Sequence, residues 1–525
     1  MRKTTAAALL TGVVLAGAAC SGAPQAVGAS APGAVAGKVF LDANGNGRLD
    51  PGEKGIAGVR VTNGVNFVTT DGQGSYTIKV AQDETIPYRP AQVVSMSWPS
   101  GKWPTGRWWW RISEIKDTGT VNFPLRSDEQ KLPFIYLHHT DSHGDFVKSH
   151  EDFARFVNAL GEVKFIFDTG DTSWPLEGLL KAESQFEAPF FHAIGNHDIN
   201  NSDNPPPDLK DYGAWTRVLG PVRWSFNYAG IHVASTDVTG GLEGTHTPAD
   251  WLERDLKGLP AGTRIILAYH YPNPYNSEKF LRLLKDYKIE MIHAGHNHAY
   301  MYWGDLGWPS PMMTAYTYRP PGTANVGIVT EDGVDVAVYC IGCRGGRYAH
   351  SRRCPMSWLD HVLLANIRSL FGQLHKIENR PLDGQGETLA VSEDRALVQA
   401  RIDPGSAKKV GLRVGPKEKP LEIAYTGDHL SVAGTSVPFK FRQQDKTLDL
   451  AVFVQKDMLT VWANDCFFFE KPVKLERAAQ VSAFAASGKA TIKTLTVQEV
   501  KPDPPGNRDN RYRCSCAHGA LRRTP

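Results

Sequence analysis

Between Leu132 and Cys340 the chain alternates short apolar runs with longer segments of helical period. FIYLHH (134–139), VKFIFD (163–168), FFHAI (190–194), RIILAY (264–269) and EMIHA (290–294) have the length of strands. They are mostly apolar rather than strictly alternating, the mark of strands buried on both faces. Between them SHEDFARFVNAL (149–160) and SEKFLRLLKDY (277–287) repeat apolar residues at three- and four-residue spacing, one face of a helix. Strands alternating with helices predict a layered α/β domain. The flanks read differently. KVFLDA, GVRVTN and DGQGSYTIKV, between Gly37 and about Leu125, alternate apolar and polar positions between Gly and Asn turns. So do KKVGLRV, TLDLAVFV, MLTVWAND and KATIKTLTV, between about Leu374 and Val500. Each flank predicts an all-β unit. SWLDHVLLANIRSLFGQL (357–374) predicts a short amphipathic helix between the second and third units.

Length agrees with several units, since 525 residues exceed what one core supports at roughly 150 residues per domain. A net charge of +3 is too small to imply a nucleic-acid surface. The start, MRKTTAAALLTGVVLAGAAC, has a basic tip at Arg2 and Lys3 and an apolar run too short for a stable span. It reads as a secretory signal, with small residues before Cys20 as at a lipoprotein processing site. The expectation is export to the cell envelope, either lipid-anchored at Cys20 or secreted, with membrane contact only through that anchor. Cys340, Cys343 and Cys354 cluster, as do Cys514 and Cys516, while Cys466 stands alone. Disulfides persist in an exported chain, and their connectivity stays open.

The chemistry lies in the loop after each strand of the α/β region. TDSHGD follows the first strand with Asp141 and His143, and TGDTSW follows the second with Asp171. GNHD follows the third with Asn196, His197 and Asp198. His270 follows RIILAY, and GHNH follows EMIHA with His296 and His298. Each motif alone is weak, but five in order at successive strand ends point to metal ligation. Two divalent cations about 3.5–4 Å apart can clamp a phosphate ester between them. Mixed Asp, His and Asn donors suit Mn, Fe or Zn better than all-oxygen ions.

These blocks, D-x-H, G-D, G-N-H-D, H and G-H-x-H, resemble the signature of the calcineurin-like metallophosphoesterases over about residues 131–340. The resemblance implies an α/β/β/α sandwich and hydrolysis of phosphate mono- or diesters by a metal-activated hydroxide. It implies one ion on Asp141, His143 and His298, another on Asn196, His270 and His296, and Asp171 bridging them. His197 is then expected at the leaving-group oxygen, oriented by Asp198. Trp174 stands where many relatives have aspartate or tyrosine, and Pro175 and Leu176 follow it. That sets the chain apart from the purple acid phosphatases and from the dedicated phosphoprotein phosphatases. His138, His139, His192 and His293 lie on strands or their edges and are expected to be packed or to support ligands, with His150 on a helix face.

DANGNGRLDPGE (42–53) fits the calcium-loop pattern D-x-[DN]-x-[DN]-G-x5-E. Asp42, Asn44, Asn46, Asp50 and Glu53 would give side-chain oxygens and Arg48 its carbonyl. The surrounding stretch resembles calcium-stiffened repeats of bacterial adhesins and the N-terminal domain of some bacterial calcineurin-like phosphoesterases. Residues 369–500 resemble the C-terminal sandwich of levanases and invertases, which implies packing or carbohydrate contact.

The expected fold is multidomain, a central α/β metallophosphoesterase sandwich flanked by two all-β sandwiches. The expected units are a signal (1–20), a linker (21–36), a calcium-loop sandwich (37–127), the metallophosphoesterase domain (131–340), a linker (341–368), the second sandwich (369–500) and a disordered tail (501–525). The leading expectation is an exported metal-dependent phosphoesterase. The alternative is a surface glycan-binding or adhesion protein with a vestigial phosphatase domain.

Overall fold

The computed structural model describes residues 33–80, 93–115, 119–143, 145–172, 176–200, 213–237, 247–272, 278–296, 301–302, 312–314, 322–341, 368–440, 446–455, 457–464, 466–475 and 480–502. The signal, Cys20 and the tail beyond residue 502 lie outside that set. So do Trp174, His298 and the cysteines other than Cys340 and Cys466. Among the described residues Cys466 is half-buried.

The chain is mostly β, in several units, with few helices. At the N-terminal end two four-stranded sheets face each other. One joins Ser75–Lys79, Ala34–Leu41, Phe123–Ser127 and Lys102–Pro104, and the other joins Phe67–Thr69, Arg60–Thr62, Val93–Ser97 and Trp109–Arg111. Their inward residues, among them Val35, Val39, Val61, Met96 and Phe123, share one buried cluster.

The α/β region runs β1 (Phe134–His139), α1 (Asp145–Leu160), β2 (Val163–Asp168), α2 (Leu176–Glu183), β3 (Phe190–His192), α3 (Asn196–Asn200), α4 (Gly213–Val218), β4 (Trp224–Tyr228), β5 (Ile231–Ser235), α5 (Pro248–Lys257), β6 (Arg264–Ala268), α6 (Glu278–Asp286), β7 (Ile289–Ala294), β8 (Met301–Tyr302), β9 (Met312–Thr314), β10 (Gly322–Val329) and β11 (Val334–Ile341). One sheet is ordered β3-β2-β1-β10-β11 and a second β4-β5-β6-β7-β9-β8. β3, β2 and β1 are parallel, as are β5, β6, β7 and β9.

The period of two in β1 explains the layering. Phe134 and Tyr136 pack with Phe165, Phe226, Tyr228 and Met291 between the two sheets. Ile135 and Leu137 pack outward with Phe153, Val157 and Leu179 of α1 and α2. On the far side Trp251, Leu252, Phe280 and Leu284 of α5 and α6 cover Ile265 and Leu267. Both faces of each sheet are buried, which is why the strands read as apolar runs. α5 starts on a capping box, with Thr247 accepting from the Asp250 N–H and Asp250 accepting from the Thr247 N–H.

The N-terminal unit is seated on this region by polar and aromatic contacts. Arg60 donates to the buried Asp255 at 2.8 Å, and Asp255 also faces His232 at 2.9 Å. The Trp98 ring stacks on Phe226 at 4.8 Å. At the other end β11 pairs antiparallel with Phe467–Pro472, so the first sheet continues without a break into the C-terminal strands. The helix expected over 357–374 is not what residues 371–374 form. A long strand, Phe371–Ala390, starts at Phe371 and pairs with Gln480–Val500. Cross-strand pairing decides this segment over its local apolar spacing.

Candidate metal centre

The expected ligands stand on loops at the carboxyl ends of β1, β2, β3, β6 and β7, where such sheets present their chemistry. The loops are bonded to one another. Asp141 N–H donates to Gly170 O (2.9 Å), His143 N–H to Asp171 O (3.0 Å) and Gly295 N–H to His270 O (2.8 Å). Four expected ligands sit in the left-handed region: Asp141 (φ 56°), His143 (44°), Asp171 (52°) and His296 (70°). A non-glycine residue held there costs on the order of 1–3 kcal/mol and persists only where its surroundings impose it. Two glycines permit the close approach. A Cβ at Gly195 would lie 2.3 Å from Asp171 Oδ1, and one at Gly295 would lie 2.1 Å from Thr140 Oγ1.

Asp171 is the centre of the arrangement. Its Oδ2 is buried and accepts no aligned hydrogen bond. It lies 3.3 Å from His270 Nε2 and 3.7 Å from His143 Nε2. His270 Nδ1 is 2.7 Å from the Thr169 carbonyl and so must carry a hydrogen there. Its Nε2 then turns toward Asp171 and toward Asn196 Oδ1 at 3.1 Å. Asn196 Oδ1 is also 3.1 Å from His296 Nδ1. With Nδ1 protonated toward Thr169, a neutral His270 turns the lone pair of Nε2 toward the oxygens of Asp171 and Asn196, and that meeting of lone pairs fits a cation. Without a metal a proton fills that place. Burial alone would depress the His270 imidazole, but the Asp171 and Asp141 carboxylates outweigh it and hold it up, at about 9. Burial likewise pushes Asp171 up, and the neighbouring His270 ring and His197 N–H reverse that, to about 2.

Asp171 belongs to two ligand groups. Its carboxylate lies with His270 and His296, and with His143 and His197, each group having its ligand atoms within 4.8 Å of one another. Asp141 faces the same space, with its oxygens accepting the His296 N–H at 3.0 and 2.9 Å. His298 lies outside the described residues. His197 is exposed, its N–H donates to Asp171 Oδ1 at 2.8 Å, and its ring meets that of His143 edge-on at 4.8 Å.

Asp198 is turned away from the expected task of orienting His197. Its Oδ2 accepts from the Asp171 and Gly195 N–H groups, and its Oδ1 from the Thr172 N–H and hydroxyl. It staples the second motif loop to the third. Burial and the nearby Asp171 charge push its carboxyl up, to about 7, against those donors.

Sequence reading passed over Thr169, whose carbonyl orients His270, and the spacing role of Gly195 and Gly295. The signal was present: a glycine precedes the GNHD asparagine and the GHNH histidine. His138, His139, His192 and His293 are all buried below the ligand loops. His150 lies on α1, with its Nε2 2.8 Å from Gln185 Nε2.

The 42–53 loop folds onto its own carboxylates. Asp42 accepts from the Gly45, Asn46 and Gly47 N–H groups. Glu53 accepts from Ala43 N–H and Asp50 N–H, and Asp50 from the Asn44 and Asn46 amides. Arg48 N–H donates to Asn46 Oδ1.

No curated protein matches this chain. Among solved structures, similar parts are found in an Aspergillus kawachii beta-fructofuranosidase complexed with glycerol (17% identity, 33% of this chain and 31% of that one, TM-score 0.23). A Caenorhabditis elegans galectin, LEC-6, is similar at 10% identity over 23% of this chain and 94% of that one, TM-score 0.20. Fructan 1-exohydrolase IIa from Cichorium intybus is similar at 8% identity over 34% of this chain and 45% of that one, TM-score 0.23. The chain thus spans under a third of the fructofuranosidase. The family models match differently. Residues 43–128 match the N-terminal domain of calcineurin-like phosphoesterases, and residues 136–300 match the calcineurin-like phosphoesterase domain itself. Those residues contain both ligand groups around Asp171, and the chain therefore carries a calcineurin-like phosphoesterase domain behind that family's N-terminal domain.

Proposed function

We propose that this chain is an exported phosphoric ester hydrolase working with a pair of divalent ions, Mn, Fe or Zn. The observation that carries the reading is Asp171 Oδ2, buried, without an aligned donor and set between His143 and His270. Asp141, His143, His298 and Asp171 would hold one ion, and Asn196, His270, His296 and Asp171 the other. Bound divalent ions supply Lewis-acid polarisation of phosphoryl oxygen and of water. The chain's own part is to orient these donors. Thr169 fixes the His270 tautomer, Asp198 ties the Asp171 loop to the Asn196 loop, and His197 stands exposed at the edge, where a departing oxygen can be met. Export, with Cys20 as the anchor, rests on the signal-like start.

The test is to strip the full chain with chelator, restore Mn, and assay a panel of phosphate mono- and diesters. Turnover should vanish on stripping and return with metal. Turnover indifferent to stripping would remove the reading. Bound metal with no turnover of any ester would favour the glycan-binding alternative with a vestigial phosphatase.

Calcium at 42–53 belongs to the same proposal, supported by carboxylates that already converge on the loop. Removing calcium from the full chain should lower its melting temperature and speed trypsin cleavage after the exposed Arg48. Mass action gives about 2.7 kcal/mol at a hundredfold excess over Kd. Identical melting and cleavage with and without calcium would reduce the loop to a turn.

A further inference from the structure

One row below the ligand loops, three neighbouring parallel strands place ionisable side chains side by side. His139 of β1 and His192 of β3 are the register partners of Asp168 on β2. Asp168 Oδ2 lies 4.0 Å from His139 Nε2 and 3.6 Å from His192 Nδ1. The other face of the His192 ring meets α2, with Nε2 3.1 Å from Glu183 Oε1. All of these side chains are at least nine-tenths buried. Nothing in the proposed chemistry uses them. Burying an imidazole between two carboxylates carries a desolvation cost that apolar residues of similar volume would avoid.

Their placement indicates what they do. Asp168 Oδ1 accepts the N–H of Gly170, the residue before Asp171, at 3.1 Å. The Ala193 N–H, next after His192, donates to the Asp168 carbonyl at 2.7 Å. Four residues beyond His192 stands Asn196. Asp168 and His192 are thus the last paired residues of β2 and β3 before the chain leaves for the ligand loops. Glu183, the last residue of α2, ties the helix after the Asp171 loop to the same point. We propose that Asp168, His192 and Glu183 form a positioning triad that fixes the gap between the Asp171 loop and the Asn196–His197 loop. Burial would depress the His192 imidazole, yet Glu183 and Asp168 outweigh it and hold it up, at about 10. The titratable groups facing it are Asp168, Glu183 and, beyond Asp168, His139. Phe190 and Trp215 supply its remaining ring contacts.

The proposal rests on the metal reading of the site, and the experiment separates the two. Metal affinity of the full chain is measured for wild type, His192→Leu, Glu183→Gln and Leu252→Ala. Leu252 packs from α5 onto the outer face of the second sheet, away from the site, and its truncation controls for lost stability. Partners that orient ligands typically change metal affinity by about 10–100-fold. His192→Leu should weaken metal binding by that factor, Glu183→Gln by less because the amide oxygen still accepts, and Leu252→Ala should leave affinity unchanged. Wild-type affinity in His192→Leu, or an equal loss in Leu252→Ala, overturns the triad. In parallel, the His192 ring signals of the metal-free wild type are followed by NMR from pH 5.5 to 9. They should stay those of a charged imidazole across that range, even where the other variants do not fold. A titration near the ordinary value of about 6.5 overturns the pairing. If wild type binds no metal while His192 stays charged, the metal reading fails and the pairing stands.

Discussion

Asp171→Asn should leave the fold in place and abolish the metal centre. The substitution keeps size but replaces a carboxylate oxygen by an amide that carries hydrogens. In the wild-type chain Oδ2 faces His143 and His270, and Oδ1 accepts the His197 N–H. An amide can still satisfy His197 through its oxygen. Its NH₂ would then point at the lone pairs gathered around His270 and donate to them, closing the space a cation needs. Hydrolysis should fall by more than about 10²-fold, the upper end of what even outer partners of a metal cost. Metal analysis of the full chain should show less than the wild-type content. An asparagine variant with wild-type metal content and rate would sink the assignment of Asp171.

His197→Ala should separate chemistry from metal binding. The side chain is exposed at the rim while its backbone is pinned to Asp171, so removing the ring leaves the loop attachment intact. If the imidazole gives a proton or a strong hydrogen bond to the leaving oxygen, the rate should fall by about 10²–10⁴-fold. The loss should be greatest for alkyl esters, whose alkoxides leave poorly, and small for nitrophenyl esters. The ring lies close enough to His143 and Asp171 to be a ligand instead. Loss of metal in the alanine variant would make it one, and an equal loss of rate for every ester would remove the acid role. Because Asp198 is committed to the Asp171 and Thr172 backbone, Asp198→Asn should disturb the contact between the two loops.

The chemistry of this chain was legible because strands and motifs are adjacent in sequence. An apolar run followed at once by Asp, His or Asn needs no long-range knowledge, and five such pairs place Asp141 through His296 at the carboxyl ends of strands in the two sheets. What the sequence could not carry were relations between loops. Nothing in GNHD says that Asp198 bonds to Asp171 and Thr172, since a carboxylate beside a histidine looks equally suited to orient it. Thr169 acts through its carbonyl, which every residue has. The strand starting at Phe371 looked helical because LFGQL also fits a helix face, and only its partner Gln480–Val500 decides otherwise. β4 and β5, with Trp224, Phe226 and Tyr228 facing the first sheet, carry no motif that marks them in the sequence.

The join between β11 and Phe467–Pro472 bears on how the chain is made. Synthesis delivers β11 long before its outer partner, so the nascent phosphoesterase sheet waits with an open edge. Ala337, Val338 and Tyr339, which later pair with Phe469, Phe468 and Phe467, form that edge. Unpaired apolar edges recruit strands from other chains, and incomplete folding intermediates are where this happens. The C-terminal strands thus finish what the earlier ones leave open: they follow β11 in the chain, and their pairing removes the row of backbone groups that a second copy could join.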